Sequence, residues 1–238
     1  MKHVLEAGTD AATLSLFCPA ALPADFDIRK QKDGPEILWP LAKEGHYHCM
    51  NTGADGAYLL HLFEGEDAPD SLKPYLREPV ELPSFPIPTG RVYFTGAEYI
   101  FRNDDAELKK HPHMGTSAEV KPGLWKVTLF RTEYPDEMVE ELVEKAMGKR
   151  LYKLSESMGC LIWLAVLAAI GAAVSYRFLK PLSWLAFVAP VLLIFLALPF
   201  VLGRSKSFRD AGIKRKEIEI QFPSIVGVMK WLAPHRFE

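Results

Sequence analysis

His46 and His48 stand two residues apart, with Asp55 close behind. On an extended strand, residues two apart point to the same face, so two imidazoles there can converge on one divalent ion. Spacing identifies no third ligand. The sequence therefore assigns no metal, and His46 and His48 are the candidates should one bind; the competing reading is a solvent-facing strand. His111 and His113 flank Pro112 beside Lys109 and Lys110, which reads as a solvated loop. Cys18, Cys49 and Cys160 are odd in number and widely spaced, matching neither a disulfide framework nor a zinc-ligand pattern. Asp10, Asp55, Glu98 and Asp104 are carboxylates without a visible pairing. Nucleophile elbow, Walker loop, dinucleotide fingerprint and metalloprotease helix are all missing from the sequence. No catalytic residue and no cofactor is implied, and the reading is non-enzymatic.

The elements that would position these residues begin with a β-rich domain over residues 1–134, a sandwich or barrel. Thr13 to Phe17 alternates apolar and polar residues and stops at Pro19, as a half-buried strand does. Glu36 to Glu44 reads as a short helix carrying Trp39, with Pro40 near its start. His46 to Met50 and Ala57 to Phe63 read as a hairpin around the Asn51 to Gly56 loop, which is rich in residues that accept positive φ. Pro83, Pro86 and Pro88 place their segment at a sheet edge or outside it. Arg91 to Phe94 and Leu124 to Phe130 read as further strands.

Beyond Asp136 the period changes. Met138, Val139, Leu142, Val143, Ala146, Met147, Leu151 and Leu154 recur at three- and four-residue intervals, predicting an amphipathic linker helix over 135–158. Residues 159–203 read as a helical transmembrane hairpin with spans 160–178 and 182–202, each near the ~20 apolar residues that cross a bilayer. Ala165, Ala169 and Ala173 repeat at four and form the predicted helix-packing face, turned toward the second span or toward another copy. The fold class expected is thus a mainly β soluble domain plus an α-helical transmembrane hairpin. The remainder, 204–238, is a basic tail in which Ile218 to Phe222 alternates like a strand. Ser224 to Leu232 is expected either at a membrane interface or against the soluble domain.

Charge divides the chain in the same way. Residues 1–143 carry 14 Lys and Arg against 24 Asp and Glu, net −10, and residues 144–238 carry 14 against 6, net +8. Hydrophobic residues make up 49% of the whole, an average that conceals this division. Ten cations flank the two spans and two lie at the turn between them. The positive-inside rule then predicts a multi-pass inner-membrane protein with both termini cytoplasmic. Basic residues without interleaved aromatics argue against nucleic acid.

Four blocks carry a family resemblance: Thr9 to Phe17, Gly53 to Tyr58, Thr89 to Glu98 and Lys121 to Phe130. Over residues 5–134 the chain resembles an uncharacterised bacterial β-domain family similar to polymorphic-toxin immunity proteins. That resemblance implies a β fold and a protein partner, and carries over no catalytic residue. The expectation that follows is a membrane-anchored protein-binding protein, an immunity protein against a membrane-acting bacterial toxin, with the lipid bilayer and a toxin or effector as partners. Two other readings stand beside it. In one, the hairpin oligomerises and permeabilises the membrane when the soluble domain senses a trigger; in the other, a metal-dependent enzyme uses His46 and His48.

Overall fold

The computed structural model of the chain describes residues 1–24, 26, 38–157, 163, 166, 170 and 204–234. They fall into two units, residues 1–134 with 222–238, and residues 135–221.

Among the described residues, nine strands build the first unit: β1 (Lys2–Thr9), β2 (Thr13–Phe17), β3 (Tyr47–Asn51), β4 (Gly56–Glu64), β5 (Leu76–Ile87), β6 (Arg91–Gly96), β7 (Gly115–Glu119), β8 (Gly123–Thr132) and β9 (Ile225–Ala233). Two short helices accompany them, α1 (Trp39–Lys43) and α2 (Ala106–Lys110). The strands form a five-stranded sheet in the order β1-β4-β9-β8-β5 and a four-stranded sheet in the order β3-β2-β6-β7. All ladders are antiparallel except β4 with β9, which is parallel.

Alternation along the strands explains the layering. On β8, Trp125, Val127 and Leu129 are buried in a core shared by both sheets, with Leu14, Leu16, Val92 and Phe94 supplied from the four-stranded sheet. The opposite face of β8 turns Phe130 into a second cluster with Phe63, Val226 and Val228, beneath Ala68, Leu72 and Leu76. Similarly, Phe17 and Tyr47 leave the outer face of the four-stranded sheet and meet Leu22, Phe26, Leu38 and Ile100. Both sheets are therefore covered on their outer faces, and each buried aliphatic or aromatic side chain contributes on the order of 2 kcal/mol of transfer free energy.

Edges are managed by sequence. β5 is an edge strand carrying Pro79, Pro83 and Pro86, with register shifts between Arg77 and Val80 and between Leu82 and Phe85. A proline there lacks only an N–H that would face away from the ladder. The β1 edge is held by Thr116 of β7. Its hydroxyl donates to the Glu6 carbonyl at 2.9 Å and accepts from the Glu6 N–H at 2.8 Å. Thr116→Val keeps the β-branched shape and removes both bonds. It is expected to lower stability in urea unfolding by about 1 kcal/mol, and no change would mean that water replaces them fully.

In the second unit, α3 (Asp136–Met147) ends where Gly148 takes φ 84, and helical backbone resumes over residues 149–157. α4 (Lys206–Glu219) starts at Ser205, whose hydroxyl accepts from the Phe208 N–H at 3.3 Å. Val143 and Met147 pack with Ala211, bordered by Val139, Leu151 and Ile218, so the apolar stripe predicted from the sequence meets another helix.

Several expectations are corrected. The class is mixed α/β, since the stretch read as a basic tail supplies the 14-residue helix α4 and the strand β9. Among the described residues no helix is long and apolar enough to cross a membrane. α4 carries Lys206, Arg209, Asp210, Lys214, Arg215, Lys216, Glu217 and Glu219, which hydrocarbon does not accommodate. The mainly β class with a transmembrane hairpin and the multi-pass inner-membrane localisation are thus not supported. The two predicted spans lie outside the described residues apart from 163, 166 and 170, as do Cys160 and the packing face of Ala165, Ala169 and Ala173. The predicted hairpin of His46 to Met50 with Ala57 to Phe63 is also replaced: β3 pairs with β2 and β4 with β1 and β9, so the Asn51 to Gly56 loop passes from one sheet to the other. Ile218 lies in the last turn of α4 instead of starting a strand.

Candidate anion-binding pocket

Two arginines border a cavity of about 590 Å³ in the first unit. Arg91 opens β6, and Tyr93 follows two residues later on the same face. Arg102 comes from the connection after the Ala97–Tyr99 turn, and Thr89 and Gly90 from the turn between β5 and β6. Pro19, Ala20, Phe101, Glu119, Val120 and Pro122 complete the wall.

The ladder places Arg91 directly opposite Glu119 of β7, and Arg91 Nη2 donates to Glu119 Oε1 at 2.6 Å. Glu119 first, and then the Tyr93 hydroxyl, hold the Arg91 guanidinium above the ordinary arginine range. The pair is water-exposed, with 49% of the Arg91 side chain and 79% of the Glu119 side chain accessible. It is therefore easily exchanged for another anion. Arg102 differs: Nη1 donates to the Pro19 carbonyl at 2.9 Å, while Nε is buried without a hydrogen-bond partner. A buried donor on a permanent cation is costly to leave unmade. Alongside, the Tyr93 ring meets Phe101 edge-on at 4.9 Å and stacks on Phe17 at 5.8 Å, fixing an aromatic wall.

Gly90 builds the floor. Its φ is +73, and a Cβ there would stand 2.8 Å from the Val120 carbonyl and 3.0 Å from Pro122 Cγ. Gly90→Ala is expected to cost roughly 1–3 kcal/mol, through the left-handed backbone and the contact with main chain. Thermal unfolding measures this loss; an unchanged melting temperature would show that the turn relaxes freely.

The residues singled out by sequence are located elsewhere. His48 lies on β3 opposite Leu16, and His46 precedes that strand with Nδ1 3.8 Å from Glu44 Oε2. Burial lowers the His48 pKa to about 4, and its Nε2 has no partner. Among the described residues no group of three His, Cys, Asp or Glu side chains is arranged to hold a metal ion. His111 and His113 pack ring to ring at 6.2 Å. Glu98 accepts from the Asp10 N–H at 2.8 Å, Asp55 from the Ala12 N–H at 3.0 Å and Asp104 from the Ala106 N–H at 3.0 Å, so these carboxylates hold turns. Burial pushes the Cys49 thiol up, and Cys18 is buried with Sγ 3.4 Å from Thr89 Oγ1.

A second cavity of about 430 Å³ lies on the outer face of the five-stranded sheet, over Phe130 and Val228. Its lysines are matched: Lys126 with Glu81 at 3.0 Å, Lys230 with Asp67 at 3.1 Å and Lys73 with Asp70 at 2.6 Å. The Arg91–Arg102 pocket has two cations against one carboxylate, and sequence reasoning passed over it. The Arg91-x-Tyr93 spacing on a strand was a readable signal, whereas Arg102 joins the pocket only through the fold.

No family model and no curated protein matches the chain. A solved structure described as "Crocagin biosynthetic gene J" is similar with a TM-score of 0.39 and 15% identity, over 56% of this chain and 79% of that one. At that score the likeness carries no argument.

Proposed function

We propose that the protein is a non-enzymatic recognition protein that captures an anionic group of its partner in the Arg91–Arg102 pocket. The observation that carries this reading is that Arg91 and Arg102 line one cavity together with Tyr93 and Thr89, against Glu119 as its one lining carboxylate. Paired guanidinium groups and hydroxyls hold oxyanions; they do not by themselves move protons or form covalent intermediates. Glu119 is the one carboxylate lining the pocket and is engaged by Arg91, which favours binding over general-base chemistry. The sequence expectation of a protein partner fits, since an acidic side chain or a terminal carboxylate is such a group.

Thermal shift at low ionic strength, with sulfate, phosphate and acetate as probes, tests the proposal. At a hundredfold excess over Kd a bound anion stabilises the fold by about 2.7 kcal/mol. The wild type is expected to melt higher with at least one oxyanion, and Arg102→Ala to lose that increment while still unfolding cooperatively. Equal shifts in both proteins, or none in the wild type, would refute it.

A further inference from the structure

Resting on that reading, we propose that the pocket selects a phosphate monoester carried on a flat aromatic body. The donors outnumber what a carboxylate can accept. Arg91 and Arg102 each carry a planar fork of donors, Tyr93 and Thr89 line the same cavity, and a carboxylate brings only two oxygens. A phosphate monoester brings three terminal oxygens and close to two negative charges at neutral pH, matching two guanidinium groups that never deprotonate.

Arg91 donates to Glu119 through Nη2 and its side chain stays 49% exposed, so a guanidinium with five N–H donors has others to offer a ligand while the bridge holds. Arg102 is already anchored through Nη1 on the Pro19 carbonyl, so its guanidinium is held in place at the cavity wall. A cavity of about 590 Å³ also exceeds what a bare phosphate fills and falls in the size range of organic ligands. The Tyr93 and Phe101 rings, held edge to face at 4.9 Å, and Pro19, Ala20 and Pro122 supply the surface against which a flat body stacks.

Calorimetric titration of the full chain with phenyl phosphate, inorganic phosphate and benzoate separates the parts of this proposal. Phenyl phosphate is expected to bind at least tenfold more tightly than either of the others. Arg102→Lys, which keeps the charge and loses the fork, should weaken it at least tenfold with an unchanged melting temperature. Arg91→Gln, at an exposed position, gives the same loss should Arg102→Lys fail to fold. Benzoate binding as tightly as phenyl phosphate overturns the phosphate assignment and leaves anion capture standing. Inorganic phosphate binding equally well overturns the aromatic body, and no binding by any probe overturns both readings. Phosphotyrosine and a 5′-mononucleotide, titrated side by side, then distinguish a modified side chain from a free nucleotide as the source of the group.

Discussion

Acidification from pH 7 to pH 4 is expected to remove about 2–3 kcal/mol of stability through His48 alone. His48 sits on β3 opposite Leu16, whose side chain lies in the shared core, and burial holds the imidazole neutral down to about pH 4. The sign follows from which state takes up the proton. In the unfolded chain His48 protonates near pH 6.5, so between pH 6.5 and pH 4 the unfolded state binds a proton that the folded state refuses. Stability falls as pH falls through that window and is lost in full below the folded value. His48→Gln removes the titration. Urea unfolding from pH 7 to pH 4 should therefore give a steeper loss for the wild type than for the variant, by about 2–3 kcal/mol. Parallel curves would mean that the imidazole is solvated in the native state.

Trp125→Ala is expected to cost about 3–5 kcal/mol, a large share of the ~5–15 kcal/mol that holds a domain folded. Trp125 is 2% exposed and stands where the two sheets meet, opposite Phe85 of β5 and Trp231 of β9. Its indole N–H also donates to the Lys121 carbonyl at 3.0 Å. Trp125→Phe retains most of the apolar volume and loses that bond together with part of the packing, so it should cost less than half as much as the alanine. Chemical unfolding with an unchanged m-value checks both. A loss below about 1 kcal/mol for the alanine variant would contradict the placement of Trp125 at the centre of the core.

These two residues also indicate what could be read from the sequence. Leu124 to Phe130 announces a strand because its alternate side chains turn to one core, and the same holds for Thr13 to Phe17. β9 was harder. It is a central strand covered on both faces, with Ile225 and Met229 in the shared core and Val226 and Val228 in the outer cluster, so its residues do not alternate in polarity. The false hairpin has another cause: two extended segments around a glycine-rich loop satisfy the local rule, and only the distant partners β1, β2 and β9 decide where each goes. Local alternation led the reading astray at Ile218 to Phe222, where tertiary packing places Ile218 against the cluster of Val143, Met147 and Ala211 in the helical unit.

The site was half legible. Arg91 and Tyr93 share a strand face by spacing alone, and Gly90 beside them marks the turn. Arg102 lies nine residues beyond Tyr93, past a turn, and nothing in its own neighbourhood says that its guanidinium reaches the Pro19 carbonyl. Histidine side chains are chemically versatile, yet burial holds His48 neutral and His46 lies beside Glu44.

The claim on which this account stands is that the Arg102 guanidinium takes an anion in the pocket. The side-chain Nε–Hε resonance of Arg102, identified by its loss in Arg102→Lys, can be followed by NMR while phenyl phosphate is added at low ionic strength. A saturable displacement of that resonance, accompanied by a smaller one for Arg91, is the predicted result. An Arg102 resonance that stays in place while the ligand binds elsewhere, or one that exchanges freely with water before any ligand is added, would contradict it.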